Sequence, residues 1–177
     1  MTEQKQFSKP IQLKALGEDG TFSGYASTFD LDLGGDVIMP DAFDAWLKAA
    51  GDDAQSMSVL WQHNMHEPIG VTTLMRVDSV GLYVEGKLTL GVQRADEARL
   101  LSQAGALKGL SIGFMIKDRE FKDGIRYIKE LELAEYSFVT RPMNTRAKLT
   151  GVKSADETVV SMLQKCDSIR ALERTLR

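Results

Sequence analysis

Three stretches of the chain alternate apolar and polar residues on both sides of a short turn that contains glycine. These turns lie at 17–20, 78–81 and 123–124. Alternation with a period of two predicts half-buried strands, and a short turn makes consecutive strands antiparallel neighbours. Gly24 lies inside one of these strands, which favours a bent sheet over a flat one. The pattern therefore predicts a small closed or curled antiparallel β-barrel.

Two segments between the strands have the apolar spacing of amphipathic helices. The first covers 41–50, with Asp41 as its N-cap and Gly51 as its stop, and the second covers 95–106. Both should pack against the sheet from outside. The predicted fold class is therefore α+β, a barrel surrounded by peripheral helices.

The end of the sequence predicts one more helix. Over 156–177, apolar residues recur about every 3.5 positions, so one face of this helix needs a surface to cover it. That surface is either the barrel or a partner, through dimerisation into a homodimer or higher oligomer or through docking to a scaffold. A chain of 177 residues can bury one good core. We therefore expect one domain over 1–150 and a C-terminal docking or dimerisation helix over 151–177.

Charge and composition argue against several classes of partner. The net charge is −3 and no run of Lys or Arg occurs, so we expect neither nucleic acid nor an anionic membrane as a partner. The first ten residues are polar, and nowhere do eighteen apolar residues follow one another, which predicts neither secretion nor a membrane span. Cys166 is the only cysteine, so no internal disulfide can form. A cytosolic protein is expected.

Ser111 is the candidate nucleophile. It lies between Gly109 and Gly113, whose missing side chains let the backbone turn and let another chain approach closely. The motif matches the GxSxG elbow of α/β-hydrolases, but that elbow runs from strand to helix and precedes its histidine. Here a helix precedes the serine and both histidines lie upstream, so that fold is excluded. The alternative is a structural serine at a strand start.

The two histidines, His63 and His66, follow a predicted strand over 57–62. His63 stands at the strand end, where a rigid sheet can aim it, and is our candidate general base. A metal site built on both histidines lacks the helical spacing of known zinc motifs. A calcium loop formed by Asp30, Asp32 and Asp36 fails the EF-hand pattern. We expect no metal and no cofactor.

Glu135 is the third candidate. In ELELAEYSFV, a strict period of two places Glu135 on the same face as Leu131 and Leu133. A buried carboxylate needs a partner, and a histidine N–H is a suitable donor. The alternative is a local bulge that leaves Glu135 in water.

Several blocks of the sequence resemble, in the same order, the prohead (capsid maturation) proteases of tailed bacteriophages, which are related to herpesvirus assemblin-type proteases. The blocks are GYASTFDLDLGGDVIMPDAF, LWQHN with PIG, DSVGLYVEGKL, GALKGLSIGF and LAEYSFVTRPMNTRA. The resemblance implies a serine endopeptidase with Ser111 as nucleophile, His63 as base and Glu135 as third member. The herpesvirus relatives have histidine in that third position. An oxyanion donor is implied near Arg141, beside Pro142, which has no N–H.

The same resemblance implies the biological setting. The substrates would be the scaffolding segment of the major capsid protein and the protease itself, cleaved inside the assembling prohead in the host cytoplasm. The alternative is a catalytically silent assembly or scaffold-binding module that keeps the protease fold.

Overall fold

The computed structural model describes residues 16–147 and Leu149. The predicted helix over 151–177 and the strand before the turn at 17–20 lie outside these residues. The elements are β1 (Thr21–Thr28), β2 (Asp36–Ile38), α1 (Asp44–Ala50), β3 (Ser58–Trp61), β4 (Asn64–Val77), β5 (Gly81–Leu88), α2 (Gln93–Gln103), β6 (Gly109–Lys122) and β7 (Ile125–Val139). Two 3-10 helices, Pro40–Phe43 and Gly51–Ser56, flank α1.

The strands form one curled mixed sheet. Its order is β1-β5-β4-β3-β7-β2, and β6 pairs with β7 as well. The hairpins β4–β5 and β6–β7 are antiparallel, as the alternating pattern predicts. However, β2 and β3 both run parallel to β7. The expectation of a purely antiparallel sheet is therefore corrected to a mixed one, because β7 pairs with strands that lie far away in sequence.

A short segment links the two ends of the curled sheet. Leu110 N–H donates to the Ala147 carbonyl at 3.3 Å, and Leu149 N–H donates to the Lys108 carbonyl at 3.0 Å. Leu149 also forms a bridge with Gly24 of β1. Ala147 and Leu149 therefore join β6 to β1, in agreement with the predicted closed or curled barrel.

The core fills the inside of this curl. Phe22 of β1 meets Phe138 of β7 edge to face, with ring centroids 4.8 Å apart. Burying a large apolar side chain contributes about 1.5–3 kcal/mol to stability. The largest fully buried apolar residues are Phe43, Val59, Ile69, Leu82, Val84, Leu88, Leu107, Leu110, Ile128, Leu131, Tyr136 and Phe138.

The helix α1 packs against the core through Trp46 and Leu47, as expected. Gly51 ends it with a φ of 52°, a conformation that favours glycine. Its start differs from the prediction. Asp41 lies within the preceding 3-10 helix, and Met39, which has no side-chain hydrogen bond to the backbone, occupies the cap position. Pro40 explains this, because its fixed φ starts the 3-10 helix at Pro40 and so places the cap two residues before Asp41.

Candidate active site

Three strands bring the candidate residues to one place. In the antiparallel pair of β6 and β7, Ser111 lies opposite Ser137 and Gly113 lies opposite Glu135. On the other edge of β7, Leu60 of β3 pairs with Ser137, so the end of β3 is close to the same site. Directly opposite residues on neighbouring strands point to the same face. Ser111, Glu135 and Ser137 therefore share one face of the sheet.

A β-bulge at Ala134 decides which face that is. The register moves from Gly113 and Glu135 to Phe114 and Leu133, which leaves Ala134 without a partner. Before the bulge Leu131 and Leu133 face the core, and after it Tyr136 and Phe138 do. The prediction that Glu135 shares a face with Leu131 and Leu133 is thus wrong.

The alternative prediction, a bulge that leaves Glu135 in water, is half right. The bulge exists, yet Glu135 is only 6% exposed. The carboxylate is covered on the face opposite the core, and it has partners there.

His63 lies in a two-residue reversal between β3 and β4. Trp61 pairs with Asn64, and the two residues between them, Gln62 and His63, have φ of 51° and 61°. Positive φ at both central residues is typical of tight hairpin turns and is uncommon for residues other than glycine, although asparagine, aspartate and histidine adopt it more often than the rest. Backbone hydrogen bonding holds the turn, since Gln62 N–H donates to the Phe138 carbonyl at 3.0 Å.

Glu135 binds the imidazole of His63 and the hydroxyl of Ser137. The distance from His63 Nδ1 to Glu135 Oε1 is 2.6 Å. Ser137 Oγ donates to Glu135 Oε2 at 2.6 Å and accepts the backbone N–H of His63 at 3.0 Å. The hydrogen bond of His63 to Glu135 raises the pKa of His63 above its ordinary value. Burial of the imidazole ring opposes this rise, and the negative charge of Glu135 adds to it.

Ser111 is 6% exposed on the neighbouring strand. Within the described part of the chain its hydroxyl makes no hydrogen bond. Catalytic hydrogen bonds are often long in an unliganded site and shorten when substrate binds.

The flanking glycines serve a different purpose from the one predicted. Neither Gly109 nor Gly113 has a positive φ, so no sharp turn forms at Ser111. A Cβ at Gly113 would lie 2.3 Å from Glu135 Oε1, and one at Gly109 would lie 2.6 Å from the ring of Pro142. Each glycine thus makes room for a neighbouring side chain of the site.

Comparison with known proteins shows the family of this chain. The family model of the caudovirus prohead serine proteases matches residues 9–162. The chain belongs to this family. It is 32% identical over 172 residues to the prohead protease of Enterobacteria phage HK97, covering 94% of this chain and 72% of that protein. It is 36% identical over 155 residues to the capsid polyprotein of Pseudomonas phage PAJU2, covering 82% of this chain and 22% of that protein.

The fold has a counterpart among solved structures. The capsid assembly protease of bacteriophage T4 superposes with a TM-score of 0.54 at 11% identity, covering 67% of this chain and 81% of that one. The chain is therefore a serine endopeptidase of the prohead protease family, with the curled sheet of a capsid protease.

The remaining candidates of this prohead protease lie elsewhere or have structural roles. His66 is exposed on β4, and its backbone N–H donates to Asn64 Oδ1. Of the aspartates considered for a calcium loop, Asp32 accepts hydrogen bonds from backbone N–H groups, and Asp36 forms an ion pair with Arg126. The described residues contain no group of three or more His, Cys, Asp or Glu able to hold a metal ion.

Arg141, the predicted oxyanion donor, is exposed in the turn that follows β7. Its neighbour Pro142 packs over Gly109, two residues before Ser111, so this turn runs beside the start of β6. No helix in the described part of the chain is long and apolar enough to cross a bilayer.

The sequence interpretation missed Ser137. It is completely buried, and its hydroxyl contacts both His63 and Glu135. The available signal was its position two residues after Glu135, which places both side chains on one face of the strand.

Proposed function

We propose that this prohead protease cleaves the scaffolding region of its major capsid protein, and itself, through a triad of Ser111, His63 and Glu135. The observation that carries the proposal is the 2.6 Å contact between His63 Nδ1 and Glu135 Oε1, on the face that also holds Ser111. The names of the relatives, a prohead protease and a capsid polyprotein, support a capsid protein as substrate. The site of action would be the assembling prohead in the host cytoplasm.

We assign each residue of the triad a step. Glu135 accepts a hydrogen bond from Nδ1–H of His63, which leaves the lone pair of Nε2 free to accept a proton. Nε2 takes the proton of Ser111 as Oγ attacks the peptide carbonyl, and it then gives that proton to the departing amine. Water hydrolyses the acyl-enzyme by the same proton transfers in the next half-reaction.

The negative charge on the carbonyl oxygen needs hydrogen-bond donors. We assign one of them to the backbone N–H of Arg141, because its turn runs beside the start of β6 through the contact of Pro142 with Gly109. Pro142 itself has no N–H to offer. The donor is a main-chain group, so its test is a backbone change such as Arg141→Pro.

Co-expression with the cognate capsid protein tests the function directly. The wild-type chain should shorten the capsid protein on a gel, whereas Ser111→Ala should leave it intact. Ser102→Ala is the matched control, since Ser102 is also buried and its hydroxyl has no partner in the described structure. Absence of cleavage by the wild-type chain would favour the silent assembly module, and inhibition by chelators would favour a metal-dependent hydrolase.

A further inference from the structure

Ser137 connects the two residues that the proposed mechanism needs to keep together. Its Oγ lies 3.0 Å from the backbone nitrogen of His63 and 2.6 Å from Glu135 Oε2. A hydroxyl has a single proton, which here goes to the carboxylate, so the same oxygen must accept the N–H of His63. Both contacts are thus satisfied in one orientation of the hydroxyl.

The hydrogen bond from the His63 N–H to Ser137 stabilises a backbone conformation that is otherwise unfavourable. The positive φ values of Gln62 and His63 lie in a backbone region that side chains adopt only when their surroundings hold them there, so neighbouring groups must hold the turn. Gln62 is held through its own N–H by the Phe138 carbonyl and through its side chain by the Thr140 N–H. The corresponding partner of the His63 N–H is the hydroxyl of Ser137.

The contact to Glu135 fixes the carboxylate from its other side. Oε2 accepts the Ser137 proton while Oε1 faces His63 Nδ1. A carboxylate held at both oxygens has little freedom to rotate away from the imidazole.

We propose that Ser137 is a positioning residue that holds the His63 main chain and the Glu135 carboxylate in one fixed arrangement. The proposal rests on the catalytic roles given above to His63 and Glu135. Ser137 touches neither the substrate nor the reacting Ser111 proton in this scheme. If Ser137 only filled space, replacing it by alanine would leave the histidine unaffected. If it positions both groups, the same change leaves the partly buried His63 N–H and the buried Glu135 oxygen without their partner.

Two measurements on the full-length chain separate these cases. The first is the rate at which a fluorophosphonate probe labels the nucleophile, and the second is NMR titration of the two histidine rings. Ser137→Ala should lower the labelling rate by about 10- to 100-fold, because a misplacement of about 1 Å can cost about 10²-fold. The His63 titration midpoint should fall towards the ordinary value, since Glu135 on β7 is the charged group that raises it.

Further variants keep the outcome decisive. Ser137→Thr keeps the hydroxyl and should restore most of the rate, and Ser102→Ala should behave as wild type. Ser137→Cys, which offers only weak hydrogen bonding, repeats the test if the alanine variant does not fold. A rate loss with an unmoved or raised His63 midpoint would overturn the proposal, as would an unaffected rate.

The experiments distinguish a refutation of the proposed function from a refutation of the positioning role. Undiminished labelling of Ser111→Ala would refute Ser111 as the nucleophile. The NMR midpoint of His63 would still report on Ser137, because it requires no turnover.

Discussion

Replacing Gly113 by alanine should disable the protease without unfolding it. The added Cβ would lie 2.3 Å from Glu135 Oε1, and contacts under 3.0 Å essentially never occur, so the carboxylate oxygen must retreat by about 0.7 Å. Its opposite oxygen is held by Ser137, so the movement disturbs the 2.6 Å contact with His63. Because a displacement of about 1 Å can cost about 10²-fold, we expect cleavage to slow by about 10- to 100-fold.

The assay is the time course of capsid-protein cleavage, with the thermal unfolding midpoint measured alongside. Gly113 has no positive φ, so alanine imposes no backbone strain of its own. Ile112→Val is the control, because Ile112 is the adjacent residue but packs against the core. That change should cost about 0.5–1.5 kcal/mol of stability and leave the rate nearly unchanged.

A double variant tests whether Gly113 acts through Glu135. Glu135→Ala removes the atoms that the new methyl group would strike, so Gly113→Ala should cause no further loss in that background. If Gly113→Ala slows cleavage by the same factor in the Glu135→Ala background as in the wild type, the reasoning is refuted. A normal cleavage rate for Gly113→Ala alone would also refute it. Gly113 would then act on something other than the carboxylate.

Three other changes test the triad. Ser111→Ala should abolish cleavage on a gel and leave the thermal midpoint in place, because it removes one oxygen. Glu135→Gln should lower the rate by up to about 10⁴-fold in a kinetic assay, whereas Glu132→Gln, half-exposed and paired with Lys117, should do almost nothing. Cleavage should fall as pH drops through a His63 pKa raised above about 6.5, and in Glu135→Gln this fall should occur at lower pH. A rate that is flat from about pH 5 to 8 would exclude a histidine base.

The hairpins and the curl of the sheet could be predicted because they depend on nearby residues. Alternation and turn signals lie within a few positions of each other, and the β4–β5 and β6–β7 hairpins follow from them. The parallel pairing of β2 and β3 with β7 could not, since nothing local in β3 indicates that its partner comes some 75 residues later.

The contact between His63 and Glu135 was predicted with an incorrect geometric reason. A strict period of two placed Glu135 on the core face, but Ala134 adds one unpaired residue and moves it to the other. Alanine has no special backbone preference, so the bulge leaves no clear mark in the sequence. Ser137 was missed for a related reason, because a serine in a strand becomes informative only when its partners are known.

The extra residue at Ala134 also limits how β7 can vary in length. One half of this strand supplies the core through Leu131 and Leu133, and the other supplies the site through Glu135 and Ser137. Deleting Ala134 alone would preserve both orientations, because Leu133 and Glu135 would then be adjacent and a regular strand places adjacent residues on opposite faces. Deleting two residues here would instead turn the carboxylate towards the core or the leucines towards water. Homologous strands that differ here should therefore differ by this single residue, and an alignment with a one-residue gap at Ala134 would still pair residues from the same faces.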